Sequence, residues 1–306
     1  MLTDVHTHLA ALPTPSNGCL ISRRMLRRPS TRVIAWLEGL PLDEPERANR
    51  LYLEKLDAEL ARSTRVSRAV LLALDGVYDS SGRLDESRTD FLMSNDAVFA
   101  AAKAFPRLFP GASINPRRRD ALDELERCAA LGARLVKVLP NTQGFDPADP
   151  RHVPFFDALA RLKIPLLTHV GREFTLTGAE QSFGDLRRWR GALDRGAALI
   201  AAHGCTNGTF VGERQLPVMA DFARRYERFF VDSSALTLPS RALGALRLRK
   251  HPEIFDRLLF GTDYPLPCFS WGLAAARKAV SRFDRQAQGL ESVGLPVGGD
   301  FSSMKF

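Results

Sequence analysis

The sequence predicts an α/β fold, a (β/α)8 barrel. Three observations carry that expectation. Apolar, β-branched segments alternate with amphipathic ones along nearly all of the 306 residues, the pattern of parallel strands covered on both faces. The alternation gives eight strand–helix units in one run, the number that closes a barrel. Four of the six histidines, with one aspartate, fall at the C-terminal ends of predicted strands, the face on which such barrels carry their chemistry. A doubly wound open sheet is the competing arrangement, and the scarcity of long breaks favours closure.

The strands in order are LTDVH (2–6), RAVLLAL (68–74), LFPGASI (108–114), ARLVKVL (133–139), IPLLTHV (164–170), ALIAAHG (198–204), FFVDSSA (229–235) and LLFGTDY (258–264). Helical stretches separate them: PERANRLYLEKLDAELARST (45–64), SNDAVFAAAKAF (94–105) and RRDALDELERCAALG (118–132), the last with Gly132 placed to end it. VPFFDALARLK, GDLRRWRGALDRG, LPVMADFARRYERF and PSRALGALRLRK follow, and WGLAAARKAVSRF comes after the last strand. The whole of 1–306 reads as one barrel domain. Residues 9–44 form a long first βα connection, read as a lid or a wall of the substrate pocket. The Gly/Ser-rich tail at 297–306 is expected to pack loosely.

Composition narrows the function. A chain that is 45% hydrophobic and 25% charged is that of an ordinary soluble globular protein. No apolar run reaches the ~20 residues of a membrane span, and MLTDVHTH lacks the features of a secretory signal, so a cytoplasmic location is expected. Four scattered cysteines without a CxxC pair argue against a disulfide framework or zinc finger. The net charge of +8 raises the possibility of nucleic-acid binding. However, the basic residues are mostly arginines dispersed along the chain, with no nucleic-acid motif and no basic stripe. A solvated arginine-rich surface, able to bias the molecule toward anionic substrates, is the better reading, and a nucleic-acid-associated protein or a catalytically dead binding barrel is the alternative class.

His6 and His8 alternate on strand one, so both face one side, where two imidazoles can close on one ion. His169 closes the fifth predicted strand, His203 the sixth and Asp263 the eighth. Such polar groups are costly to bury at apolar strand ends without a purpose, and together they point to a metal site. His152 and His251 lie outside strands and read as surface residues. Lys137 shares a strand-four face with Leu135 and Leu139, and a buried lysine there wants a reason.

DVHTH, TH at 168–169, AHG at 202–204 and FGTDYP at 260–265 together resemble the amidohydrolase superfamily. The closest likeness is to the branch that includes aminocarboxymuconate-semialdehyde decarboxylase, and it runs from about residue 2 to GLP at 294–296. The resemblance implies metal ligation by His6, His8, His169 and Asp263, with His203 as the catalytic histidine. The chemistry fits those roles. Three imidazoles and a carboxylate leave Zn2+ an open position for an activated water, Asp263 is the candidate base, and His203 can hydrogen-bond the hydroxide or an oxyanion. Asp4 is a candidate to orient a ligand, with a plain strand-start carboxylate as the alternative. One Zn2+ is expected, with Mn2+ or Fe2+ compatible. In binuclear members of the superfamily a carbamylated lysine bridges two ions; in the mononuclear branch Lys137 is left to bind an anionic substrate group. Arg172 and Glu173 are pocket candidates with surface placement as the alternative, and Arg23, Arg24, Arg27 and Arg28 read as an exposed basic helix end, with a clamp on a substrate carboxylate as the alternative. The expected activity is metal-dependent hydrolysis of a small organic substrate, probed against non-oxidative decarboxylation of an aromatic or unsaturated acid. No membrane or nucleic-acid partner is expected, and a homodimer is compatible with the sequence.

Overall fold

Eight parallel strands follow one another around a single sheet: β1 (Leu2–His8), β2 (Val66–Leu72), β3 (Leu108–Ser113), β4 (Val136–Val138), β5 (Leu166–Thr168), β6 (Leu199–Ala201), β7 (Phe229–Asp232) and β8 (Leu258–Leu259). The structure, a computed structural model, describes residues 1–173, 176, 180–207, 214–269 and 281–303. Backbone bonds join the two ends of the sheet. The N–H of Val5 donates to Phe260 O at 3.0 Å, that of Asp263 to His6 O at 2.8 Å, and that of His8 to Tyr264 O at 2.8 Å. The barrel is closed, as eight strand–helix units predict.

Inside it, Val5, Val70, Leu72, Leu135, Leu167, Ile200, Phe230 and Leu259 form one apolar layer, each aliphatic side chain contributing about 1.5–3 kcal/mol on burial. Simple alternation would put Val5 and His6 on opposite faces. The β1–β2 register carries an extra β1 residue between Asp4 and Thr7, a bulge that resets the alternation. Val5 then joins the lumen core while His6 and His8 face the cavity above it.

The outer layer is helical. α1 (Pro29–Leu37) belongs to the first connection, and α2 (Pro45–Arg62) buries Ala48, Tyr52, Leu56 and Leu60, one stripe at helical spacing. α3 (Asn95–Ala104), α4 (Ala121–Ala130), α5 (Val153–Leu162), α6 (Arg190–Asp194), α7 (Leu216–Arg225) and α8 (Ala242–Leu248) follow, and α9 (Arg282–Ser292) closes the series. Gly132 ends α4 region as expected, at φ +87°. The predicted helix WGLAAARKAVSRF lies almost wholly outside the described residues, and α9 begins at its end. The ladders of β4, β5 and β6 are three residues long, shorter than the apolar runs suggest, because the chain leaves the sheet before His169 and His203.

Two connections rise over the C-terminal face. Leu20–Ile21 pairs antiparallel with Phe91–Leu92, which ties the 9–44 segment to the loop after β2. Arg24 forks onto Asp90 (2.8 and 3.1 Å), and Glu38 pairs with Arg282 at 2.5 Å. At the other end the tail is tied down through Ser303. Asp300 accepts from the Thr3 N–H at 3.0 Å, and Phe301 plugs the lumen. The apolar plug, this hydrogen bond and a second one between Thr3 Oγ1 and Ser302 Oγ (2.9 Å) outweigh the tail's Gly/Ser composition. Many surface arginines pair with carboxylates, such as Arg107–Asp57 and Arg195–Asp157. Among the described residues no helix is long and apolar enough to cross a membrane.

Asp4 clasps the seam. Its carboxylate accepts from the His6 N–H (2.7 Å), Thr262 Oγ1 (2.5 Å) and the Thr262 N–H (3.3 Å). It therefore holds backbone and the last strand's extension, and orients no imidazole. Burial pushes its pKa up to about 7 from the ordinary 3.8. Between those values the unfolded chain has lost the proton that the native state keeps, so the group's contribution to stability falls as pH rises. Asp4→Asn is expected to flatten that fall in urea melts taken across the interval, and Asp4→Ala to cost about 1–3 kcal/mol. An unchanged pH slope in the Asn variant would contradict the assignment.

Candidate active site

His6 and His8 leave β1 on one side, with rings 5.0 Å apart and Nε2 atoms 3.2 Å apart. The seam bond from Asp263 to His6 O brings the last strand's extension against them. Asp263 Oδ1 lies 3.5 Å from His6 Nε2 and 3.4 Å from His8 Nε2. These three residues offer donor atoms that all lie within 4.8 Å of one another. His203 stacks on His6 at 5.2 Å between ring centroids, and its Nε2 is 3.2 Å from His169 Nδ1. Glu173 Oε2 is 3.4 Å from that same His169 nitrogen. Lys137, fully buried, donates from Nζ to His6 Nε2 at 3.0 Å.

Burial keeps the rings of His8, His169 and His203 neutral, while the neighbours of Asp263 keep it charged. Burial lowers the His169 pKa to about 4 and holds His203 well below the ordinary 6.5, with Arg241 adding to the effect on His203. Burial alone would raise the Asp263 carboxyl, but His6, His8 and His203 around it hold it well below the usual carboxylate range. Burial brings Lys137 down to about 8 against the pull of Asp232, Asp263 and Glu173. His203 and Asp263 both sit at positive φ, +59° and +65°, a conformation that costs a non-glycine residue about 1–3 kcal/mol and that clusters at functional sites. Behind them, a Cβ on Gly261 would lie 3.2 Å from both His6 Cβ and Ser234 Cβ, a tight contact that any larger residue would have to relieve by shifting those side chains a few tenths of an ångström.

Above this floor is a cavity of about 200 Å3. Met25 and Ile34 from the first connection, Phe91 from the second, and Leu139, Leu176 and Leu266 make its walls apolar.

Residues 3–288 match the family model described as amidohydrolase. The chain belongs to the amidohydrolase family of enzymes. No curated protein sequence matches it significantly. Among solved structures it is similar to an uncharacterised TIM-barrel protein of Bordetella bronchiseptica (18% identity over 99% of this chain and 94% of that one, TM-score 0.62). It is similar also to a probable 2-pyrone-4,6-dicarboxylic acid hydrolase of Acinetobacter baumannii solved with citric acid bound (14%, 95% and 91%, TM-score 0.58). A third is 5-carboxyvanillate decarboxylase of Sphingomonas paucimobilis (15%, 95% and 97%, TM-score 0.52). At these identities the likeness is one of fold.

A divalent ion fits the residues of this amidohydrolase. Neutral imidazoles and an ionised carboxylate are the protonation states that ligate, and the buried His169 Nε2 has no hydrogen-bond partner among the described residues, the mark of a donor meant for something else. His6, His8 and Asp263 stand together, while His169 lines the same cavity beside His203 and Glu173 and belongs to neither tight donor group. His203 lies in a turn beyond β6 rather than on it. Arg172 is exposed and lines a separate surface hollow with Gln181 and Asn207. None of Arg23, Arg24, Arg27 and Arg28 lines the cavity; Arg24 clamps the protein's own Asp90. His152, read as a surface residue, is buried with its ring 5.6 Å from that of Phe145, because the Asp149-capped turn at Pro150–His152 folds it inward.

Sequence reasoning passed over Asp232. Fully buried, it accepts from His6 Nδ1 at 2.7 Å and from the His203 N–H at 2.8 Å. Its signal was faint, since it sits in the middle of the predicted strand FFVDSSA (229–235), although the observed strand β7 ends on it.

Chelator-stripped protein titrated with Zn2+ or Co2+ is expected to take up one ion per chain. Loss of a partner one step removed from a metal costs 10–100-fold in affinity, so Asp263→Ala is expected to cost at least about 100-fold. Isothermal titration checks both, and an unaltered affinity would remove Asp263 from the donor set.

Proposed function

We propose that this amidohydrolase is a metal-dependent hydrolase of a small carboxylic acid with an apolar body. The observation that carries the reading is Asp263 Oδ1, within 3.5 Å of both β1 imidazoles on the floor of a cavity whose walls are apolar. His6, His8 and Asp263 would hold the ion, with His169 the nearest further imidazole donor of the cavity. When bound, a divalent ion supplies Lewis acidity, polarising a carbonyl and lowering the pKa of water toward ~7.

The chain's own groups supply the rest. Asp263, kept ionised, accepts the proton of the water that adds to the acyl carbon. His203, stacked on His6, takes a hydrogen bond from that water at Nε2. Lys137 Nζ, held at the cavity floor, draws an anionic substrate group toward the reacting centre, and Glu173 beside His169 confines it from the β5 side. The walls receive the hydrocarbon body and exclude bulk water, which strengthens every charge interaction on the floor.

Decarboxylation is the second reading, favoured by one feature: a carboxylate lowered into apolar walls loses its hydration, which assists departure of CO2. Hydrolysis stands ahead of it because Asp263, at the centre of the donor group, is held in its charged, proton-accepting form, the state that activates a water. Among the described residues no arginine lines the cavity to grip a second carboxylate.

Assays of the metal-loaded enzyme in 18O-labelled water against small unsaturated and aromatic lactones, esters and acids separate the two. Label in a carboxyl product is the expected result. CO2 release without label would replace hydrolysis by decarboxylation, and turnover unaffected by metal stripping would overturn both. Asp263→Asn is expected to lower kcat by about 10^2–10^4-fold, measured on whichever substrate turns over.

A further inference from the structure

The two oxygens of Asp232 are divided between two histidines. Oδ2 accepts from His6 Nδ1 at 2.7 Å, while Oδ1 accepts from the His203 backbone N–H at 2.8 Å, from the Ser234 N–H at 3.0 Å and from Ser234 Oγ. With its proton spent on Asp232, the Ser234 hydroxyl can only accept from His203 Nδ1, 2.9 Å away, and the Ser234 carbonyl 3.4 Å from that nitrogen can only accept as well. His203 therefore carries its proton on Nδ1. His6 reaches the same state by two routes: Nδ1 faces a carboxylate, and Nε2 faces the Lys137 ammonium, which has no lone pair to offer.

We propose that Asp232 is the positioning residue that sets the tautomers of both His6 and His203, leaving each Nε2 as a bare lone pair turned toward the cavity floor. This rests on the metal reading above for its consequence, since a bare Nε2 on His6 is what an ion needs, and not for the hydrogen-bond pattern itself. The same carboxylate holds His203 in its left-handed backbone conformation through the N–H bond.

The isosteric variant Asp232→Asn has a forced orientation. The His203 and Ser234 backbone N–H groups are donors and must keep the amide oxygen, so the amide NH2 is turned onto His6 Nδ1. A donor there makes Nδ1 the acceptor and moves the proton to Nε2, which can then neither ligate nor accept from Lys137.

The test is 15N-histidine NMR of the metal-free full chain, with Zn2+ affinity measured by chelator competition on the same samples. Wild type is expected to show Nδ1–H tautomers for His6 and His203. Asp232→Asn is expected to show Nε2–H for His6 and about 10–100-fold weaker Zn2+ binding. Ser234→Ala is expected to disturb the His203 signals while leaving those of His6 and the Zn2+ affinity unchanged. An Nε2–H tautomer for His6 in the wild type would overturn the proposal without any variant, so a failure of Asp232→Asn to fold does not shelter it. An Asn variant with unaltered tautomer or affinity would overturn it too. A wild type with Nδ1–H on His6 that binds no Zn2+ would uphold the Asp232 assignment and sink the metal reading instead.

Discussion

Closure of the barrel between its first and last strands is the constraint on which the site depends. His6 and Asp263 are 257 positions apart in sequence, yet the backbone bond from Asp263 N to His6 O, at 2.8 Å, is one of the contacts that closes the sheet. The donor group therefore needs no separate device to assemble it. Whatever holds the seam, including Asp4 and the Thr7–Tyr264 bridge, also fixes the carboxylate against the two imidazoles. In an open sheet those edges would lie apart and the same residues would do nothing together.

Gathering so many polar groups in a lumen has a cost, and the surroundings offset it in identifiable ways. His8, His169 and His203 remain neutral because desolvation makes protonation unfavourable, and Asp232 and Asp263 remain charged because each faces several donors. Asp232 is the clearest case: burial pushes its pKa up, but His6, Ser234 and Lys137 hold it below the ordinary value. The backbone strain at His203 and Asp263 is met by hydrogen bonds that their own N–H groups donate, to Asp232 and to His6 O respectively. The residues under strain are thus held by the residues they work with, and the site is stiff as a unit.

What was legible in the sequence is what has a local period. The strands, the amphipathic helices, the common side of His6 and His8 and the inward face of Lys137 all follow from spacings of two or 3.6 residues. The β1 bulge is invisible to such reasoning, although it is what lets Val5 fill the core directly beneath His6. Loop residues carry no period at all, so the placement of Arg172 and of the first-connection arginines could not be read, nor could the inward turn of His152. Asp232 was missed for a different reason. Its partners are ring nitrogens whose orientation exists only after the barrel closes, so a carboxylate within a predicted strand announced a position without announcing a role.

The cavity walls complete the argument from charge to chemistry. The first connection contributes Met25 and Ile34, and the second contributes Phe91. Their joint ribbon, the Arg24–Asp90 fork and the Glu38–Arg282 pair fasten these loops to the barrel rim. Arginines that might have gripped a substrate are spent on this fastening, and what faces the floor is hydrocarbon. A charged substrate group entering such a chamber gives up its water and finds one lysine and the donor cluster in return. Under the proposed function, specificity is a matter of which bodies fit the walls, while reactivity is decided on the floor, where Asp263 stays charged and Asp232 holds the rings. That division lets the loops diverge to suit new substrates without disturbing the seam that makes the chemistry.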